Sequence, residues 1–497
     1  MDINVIWLAV SLIVYFVVLL GISFYKNKNE TKEDYFLGGR KTPYWILATA
    51  FVAAWYGGNS ALISVDKAFE QGLSSWWILG GPTVLAVLVI LIFSSAIRRV
   101  GAMSQNGLMI KRYNQTTGNI LVVILVMYFI SWGSSQMVAV GHFLSSFYNF
   151  SYSTAVIIGL SITLLYSVLG GFRAVVLTEM IQFFFLVAGL LVVMIVALIN
   201  SGGIEGIQAS TQAKEATGYF NLFGSFSQNF VFVLSFSLAF IVDGAVWQRV
   251  SASRNPIEAR KTTTQALLYF IPLYFFVVIT GMAATGIFTE VPEGGIVSAL
   301  TRNYLSPFFA SLVFVGVAAA IMSTLSTTLN ASSMYLTEIY NKYVKPNASN
   351  KEIVVIGMVA TVFSALIGFI VAVRIPDALV VLSIASQILA AGVFVPMLMG
   401  FLWKRGNSVG AIASLISGSG FVLYDYLIQL GIPLPFFWSQ DGAGVIIIGF
   451  IIGLVAYIVG SLVTKPEYEK ASEFIELAGL VKGNKIEVKD DINIDNK

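Results

Sequence analysis

The run from Val317 to Ser333, VAAAIMSTLSTTLNASS, places hydroxyl groups at helical spacing inside a long apolar segment. Ala320, Ser323, Thr324 and Thr327 stand at i, i+3, i+4 and i+7, so a helix gathers them on one polar stripe, with Ile321, Leu325 and Leu329 roughly opposite. Such a face can hold something small, or it can let two membrane helices pack closely; the stripe by itself leaves both readings open. Two further stretches carry polar groups in apolar surroundings: Ala53 to Ser60, AAWYGGNS, with a Gly-Gly pair, and Val242-Asp243-Gly244-Ala245, with a carboxylate. The chain has no cysteine and a single histidine, His142, which excludes thiolate chemistry, disulfides and multi-histidine metal centres. No nucleophile motif or metal-ligand cluster stands out, so the sequence does not read as an enzyme.

The elements that position these residues must be membrane helices. Of the 497 residues, 57% are hydrophobic and 11% charged, too apolar for a soluble chain of this length. Runs near the length needed to cross a bilayer number about thirteen, at 5–24, 44–70, 74–97, 119–143, 152–170, 175–200, 226–249, 265–288, 306–340, 352–373, 377–402, 408–431 and 443–464. Basic residues fall in alternate connections: Lys26 to Lys41, Arg98 to Arg112, Arg173, Arg249 to Lys261, Lys342 to Lys351, Lys404 with Arg405, and Lys465. The positive-inside rule makes those connections cytoplasmic, with the N-terminus outside and the C-terminus inside. The start, MDINVIW, lacks the basic region of a cleaved signal, so the first span is read as retained. The net charge of +3 gives no argument for a nucleic-acid partner, and none is expected.

Connections 201–225 and 289–305 are long enough to hold short structure of their own, and the charged tail has room for one short amphipathic helix. The second and seventh spans look interrupted, at Gly57-Gly58 and at Asp243-Gly244. Breaks in corresponding segments of two halves point to a transporter site, because unwound carbonyls and half-helix ends can coordinate ions and substrate. Their separation suggests two five-helix repeats of opposite orientation, 44–200 and 226–402, flanked by an extra helix at 5–24 and two helices at 408–464. All belong to a single transmembrane domain, 1–465, followed by a cytoplasmic tail, 466–497.

Five separated motifs resemble those of the sodium:solute symporters, the family of bacterial proline permeases and sodium-coupled sugar and sialic acid transporters. They are DYFLGGRK (Asp34 to Lys41), GGFRAVVLTEMIQ (Gly170 to Gln182), VWQRVSASRNPIEARK (Val246 to Lys261), AAIMSTLSTTLN with TEIY (Ala319 to Tyr340) and GFLWKRGNSVGAI (Gly400 to Ile412). The resemblance implies an all-α polytopic membrane protein with a LeuT-like inverted repeat of five plus five helices. It also implies sodium-driven uptake by alternating access at the plasma membrane. Carried over position by position, it makes Na+ ligands of the carbonyls of Ala53, Tyr56 and Ala320 and the hydroxyls of Ser323 and Thr324. Neutral oxygens of this kind suit a hard monovalent cation. Some members hold a second sodium one turn further on, which here would use Ser326 and Thr327; the family's aspartate position is Glu179. Three readings of Glu179 follow: a second ion site, a carboxylate bonded to the hydroxyls without an ion, or a group that takes up a proton.

For the solute, the candidates are Trp55, Gly57 and Ser60 on the first broken helix, Trp76 on the next span, Ser131 and Ser135 on the fourth, Asp243, and Gln387 on the eleventh. Aromatic rings with a few polar groups fit a small polar organic solute. Asp243 is either a substrate contact or a cap for the N–H groups where its span unwinds. With a tryptophan face nearby, a cationic or zwitterionic solute such as an amino acid is favoured over a sugar or sialic acid. Trp55 stands where proline permeases carry an aspartate, which argues against proline itself. His142, near a span end, reads as an interfacial residue. A transporter-like sensor or leak channel is the alternative of another class. The partners expected are the solute, sodium and the lipid bilayer, and the chain is expected to act as a monomer.

Overall fold

The computed structural model describes residues 3–23, 37–102, 104–169, 172–213, 218–439 and 442–480. The start of the DYFLGGRK motif, Gly170-Gly171 and the tail beyond residue 480 lie outside the described residues. Helix α1 (Ile3–Ser23) precedes a first unit made of α2 (Tyr44–Trp55), α3 (Ser64–Gln71), α4 (Gly80–Val100), the short α5 (Gln105–Arg112), α6 (Gln115–Tyr148), α7 (Tyr152–Leu169) and α8 (Phe172–Asn200). After α9 (Gly203–Ala213) the second unit runs through α10 (Phe226–Ile241), α11 (Gly244–Ser251), α12 (Pro256–Ala284), the short α13 (Ile296–Tyr304), α14 (Pro307–Ile339), α15 (Asn350–Arg374), α16 (Ala378–Gly392) and α17 (Phe394–Leu402). Helices α18 (Ser408–Gln429), α19 (Gly442–Val463) and α20 (Tyr468–Ala478) complete the chain.

Among the described residues, nine helical segments are long and apolar enough to cross a membrane, and α16 with α17 makes a tenth, bent by 40°. Three shorter apolar helices, Ile6–Ile22, Tyr44–Trp55 and Tyr152–Val168, occupy the other expected positions. Connections 201–225 and 289–305 hold α9 and α13, and the amphipathic tail helix is α20. Side-chain caps start several helices: Asn114 accepts from Thr117 N–H, Asn255 from Glu258 N–H and Asn407 from Gly410 N–H. They supply acceptors to N–H groups that have no partner inside the helix.

Helix α14, which carries the hydroxyl stripe, is wedged between α6 and α8. It reaches α8 so closely that a Cβ on Gly316 would lie 2.6 Å from the Phe185 carbonyl oxygen, and one on Gly189 3.3 Å from Gly316 Cα. Backbones approach to that distance only where side chains are missing. Two features depart from the expected layout. The eleventh span bends at Val393 because α18 presses on it: a Cβ on Gly392 would lie 2.2 Å from Ser419 Oγ, and one on Gly418 2.2 Å from the Ala391 carbonyl oxygen. Trp76 lies in a 3-10 turn, Gly72–Trp77, that precedes α4 within the apolar segment Asn59–Val100.

Candidate functional site

Helix α2 stops at Trp55 because the chain turns over at Tyr56 (φ −80°, ψ 75°). The N–H of Gly57 donates to the Trp55 carbonyl (2.9 Å) instead of reaching back to Ala53. The Ala53 carbonyl is thereby released from the helical ladder, and Ser323 Oγ of α14 comes within 2.7 Å of it and Thr324 Oγ1 within 3.4 Å. Ser323 Oγ is also 3.0 Å from the Ala320 carbonyl. One hydroxyl proton cannot serve both carbonyls at once, so this knot of oxygens has spare acceptor capacity. Ser323 and Thr324 are fully buried. The Gly-Gly pair allows the approach: a Cβ on Gly57 would fall 2.8 Å from Thr324 Oγ1 and 2.4 Å from Gln136 Oε1, and one on Gly58 2.5 Å from Ala139 Cβ.

Beyond the break the chain resumes as a wide turn, Asn59–Ile63, running into α3. Gly58 N–H donates to Gln136 Oε1 of α6 (2.8 Å). The Asn59 amide nitrogen donates to Ser135 Oγ (3.2 Å), while Asn59 Oδ1 is buried without a partner among the described residues. Ser60 shares a hydrogen bond with the Tyr274 hydroxyl (3.0 Å), which also meets Thr83 (3.1 Å). Trp55 packs against Phe51, Phe240 and Phe270, with ring centroids 4.9–6.0 Å apart. These rings form an aromatic box packed ring on ring around Trp55, and Asn59 carries an orphaned acceptor four positions further along the same segment. Aromatic faces with a free acceptor suit a small solute that donates a hydrogen bond.

The second break is closed by the protein's own side chains. Asp243 caps α11 by accepting from Val246 N–H (2.9 Å), and it also accepts from Trp55 Nε1 (3.2 Å) and the Tyr128 hydroxyl (2.7 Å). Gln105 donates to the Val242 carbonyl (2.6 Å) and Trp247 to the Ile241 carbonyl (2.7 Å). Asp243 is 0% exposed, and each of its three contacts is with a donor, as a buried polar group requires. It is a cap and, through Trp55, a neighbour of the aromatic box.

One turn along α14, Thr327 Oγ1 donates to Glu179 Oε1 of α8 (2.5 Å). The same oxygen forms an ion pair with Arg249 of α11, whose Nη2 is 3.2 Å from Thr327 Oγ1 and whose Nη1 donates to the Ala245 carbonyl (2.9 Å). Ser326 turns back to the Ser323 carbonyl of its own helix (3.0 Å). The charge pattern of the sequence counts Arg249 among the loop cations, and here the structure corrects it: Arg249 is 1% exposed.

One of the remaining solute candidates reaches the broken segment, and three make contacts with other elements. Ser135 joins it through Asn59. Ser131 lies beside Tyr426 of α18, Gln387 donates to the Gly442 carbonyl at the start of α19 (3.3 Å), and Trp76 stacks on Phe275 (5.9 Å between centroids). Sequence reasoning passed over Asn59, Tyr128, Gln136 and Tyr274 as contributors. Asn59 and Gln136 were open to detection as amides inside apolar spans; the two tyrosines look like any other membrane aromatic.

The chain is 26% identical over 474 residues to the osmoregulated proline transporter of Bacillus subtilis (strain 168), covering 92% of this chain and 94% of that one. It is 24% identical over 464 residues to the sodium/glucose cotransporter of Vibrio parahaemolyticus, covering 84% and 85%. A solved Na+-coupled sialic acid symporter in a substrate-bound outward-open state superposes with a TM-score of 0.77 at 18% identity, over 93% of this chain and 98% of that one, which shows the shared fold. MhsT in complex with L-phenylalanine superposes at 0.54 and 11% identity over 84% and 97%. The family model described as the sodium:solute symporter family matches residues 35–418, and the chain belongs to that family of membrane proteins, which couple the movement of a small solute to sodium.

Proposed function

We propose that this chain imports a small zwitterionic solute of the amino-acid class together with one sodium ion, both held at the break between α2 and α3. The observation that carries the reading is that one broken segment, Ala53 to Ser60, brings a released carbonyl to the hydroxyl stripe and also carries Trp55 and the orphaned acceptor of Asn59. Its Ala53 carbonyl meets the Ser323 and Thr324 hydroxyls, and with the carbonyls of Tyr56 and Ala320 these oxygens make up the sodium ligands of this reading. Its Trp55 belongs to the aromatic box, and Asn59 and Ser60 are the polar groups that follow the break. A sodium ion bridging α2 and α14 holds the break in the shape that also forms the box, so the ion raises solute affinity and the solute raises ion affinity by the same factor.

The chemistry of the box favours a zwitterion. The N–H groups of Asn59 and Ser60 lie in the first turn of a half-helix, where they have no helical partner and suit a carboxylate. Asn59 Oδ1 is the acceptor left for an ammonium, and Trp55 offers an aromatic face to the same cation. Asp243 adds negative charge behind Trp55 and fixes the indole by its Nε1. Asp243→Asn is expected to weaken solute binding roughly 10–100-fold, the loss of a charge-assisted hydrogen bond, with sodium binding little changed. Equal solute uptake by the variant would sink the role of Asp243.

Glu179, Ser326 and Thr327 are not assigned a second sodium, because the Arg249 guanidinium already supplies the positive charge that Glu179 requires. A thermal-shift screen against amino acids, amines, sugars and sialic acids, in sodium and in potassium, tests the solute class. Stabilisation by an amino acid in sodium only is the expected result; stabilisation by a sugar alone overturns the assignment. Uptake into proteoliposomes with and without a sodium gradient separates symport from a leak.

A further inference from the structure

A shallow groove of about 560 Å³ opens on the lipid-facing side where α2 begins and α12 starts its climb, on the face that the positive-inside rule assigns to the cytoplasm. Tyr44, Ile257, Arg260, Lys261, Thr264, Gln265 and Leu268 line it. Arg260 and Lys261 are exposed, and among the described residues neither meets an acidic side chain. Lys261 Nζ stands 5.6 Å from the centroid of the Tyr44 ring. Helix α2 starts at Tyr44, after Pro43, with no side-chain cap, so the N–H groups of its first turn have no helical partner at this end of the groove. Leu268 lies about 12 Å further along α12 than Arg260 and is 62% exposed, with Ile271 beyond it at 36%. The groove is therefore cationic at its cytoplasmic end and apolar where it enters the hydrocarbon.

We propose that this groove binds an anionic phospholipid of the cytoplasmic leaflet. Its phosphate lies between Arg260, Lys261 and the first-turn N–H groups of α2, and an acyl chain runs along Leu268 and Ile271. Two uncompensated cations beside the membrane select negative headgroups over zwitterionic ones, and the apolar strip selects a lipid over a free anion. The site ties the start of α2, which carries Ala53 and Trp55 further along, to α12.

The test is lipid retention by the purified full chain, delipidated in detergent and read by native mass spectrometry, so it does not depend on which solute is transported. Phosphatidylglycerol is expected to be retained roughly tenfold over phosphatidylcholine. That preference should vanish in Arg260→Gln/Lys261→Gln and persist in Lys351→Gln/Lys404→Gln, which removes the same charge from exposed positions elsewhere. Equal retention of the two lipids, or a preference that survives Arg260→Gln/Lys261→Gln, overturns the proposal. So does displacement of phosphatidylglycerol by soluble glycerol phosphate at matched concentration, which would make the ligand a free anion.

Discussion

Ser323→Ala and Thr324→Ala are each expected to raise the sodium concentration for half-maximal uptake roughly 10–100-fold, as the loss of one oxygen contact to a charge implies. Each variant removes one of the proposed ligands and leaves the other hydroxyl beside the Ala53 carbonyl. The cost to folding should be smaller, on the order of 1 kcal/mol, since the hydroxyl contacts are single neutral hydrogen bonds. Sodium titrations of uptake and of the sodium-dependent rise in Tm read the two effects separately. Because the coupling is reciprocal, solute affinity at low sodium should fall in the same variants while solute affinity at saturating sodium is retained. Unchanged half-saturation in both variants would refute the placement of the ion.

Breaking the Glu179–Arg249 pair is expected to have the second large effect. Both groups are buried, and removing one partner leaves the other charge without compensation, at a cost of about 3–5 kcal/mol. Glu179→Gln and Arg249→Gln should therefore each lower Tm substantially, whereas Glu179→Gln/Arg249→Gln should recover most of the loss, because no net charge is left buried. Glu179 Oε2 and Arg249 Nε have no partner among the described residues, so the pair depends on the contacts at Oε1 and Nη2. The pair also bears on stoichiometry. With Arg249 in place, the sodium dependence of uptake should show a Hill coefficient near one; Arg249→Gln leaves a carboxylate beside Thr327 that is free to recruit a cation, and its dependence should steepen. A coefficient near two in the unaltered protein would contradict the single-ion reading.

The pair links three elements that the chain keeps far apart. Arg249 ends α11, whose other end is pinned by Asp243 to Trp55 and Tyr128. Helix α11 is thus tied at one end to the aromatic box through Trp55 and at the other to Glu179 of α8 and Thr327 of α14, so a change at either end bears on the other. The same variants that lower Tm should therefore also disturb coupling.

The spans, the two breaks and the hydroxyl stripe were legible in the sequence because each has a local cause. Bilayer thickness sets the length of an apolar run, Gly-Gly and Asp-Gly interrupt a ladder within one turn, and helical period alone gathers Ala320, Ser323 and Thr324 on one face. Contacts between helices were not legible in this way. Nothing local in Arg249 says that it turns inward to meet Glu179 across 70 positions, or that Tyr128 reaches Asp243 across 115. Those partners are chosen when packing removes water from the groups and leaves a buried charge only the donors that neighbouring helices present. The bend at Val393 was equally out of reach of the sequence, since it falls where α18 comes close to the eleventh span. The oxygen-rich stripe was thus written into the sequence, while the packing of α8, α11 and α14 decided that its upper turn faces the broken helix and its lower turn is taken by an ion pair.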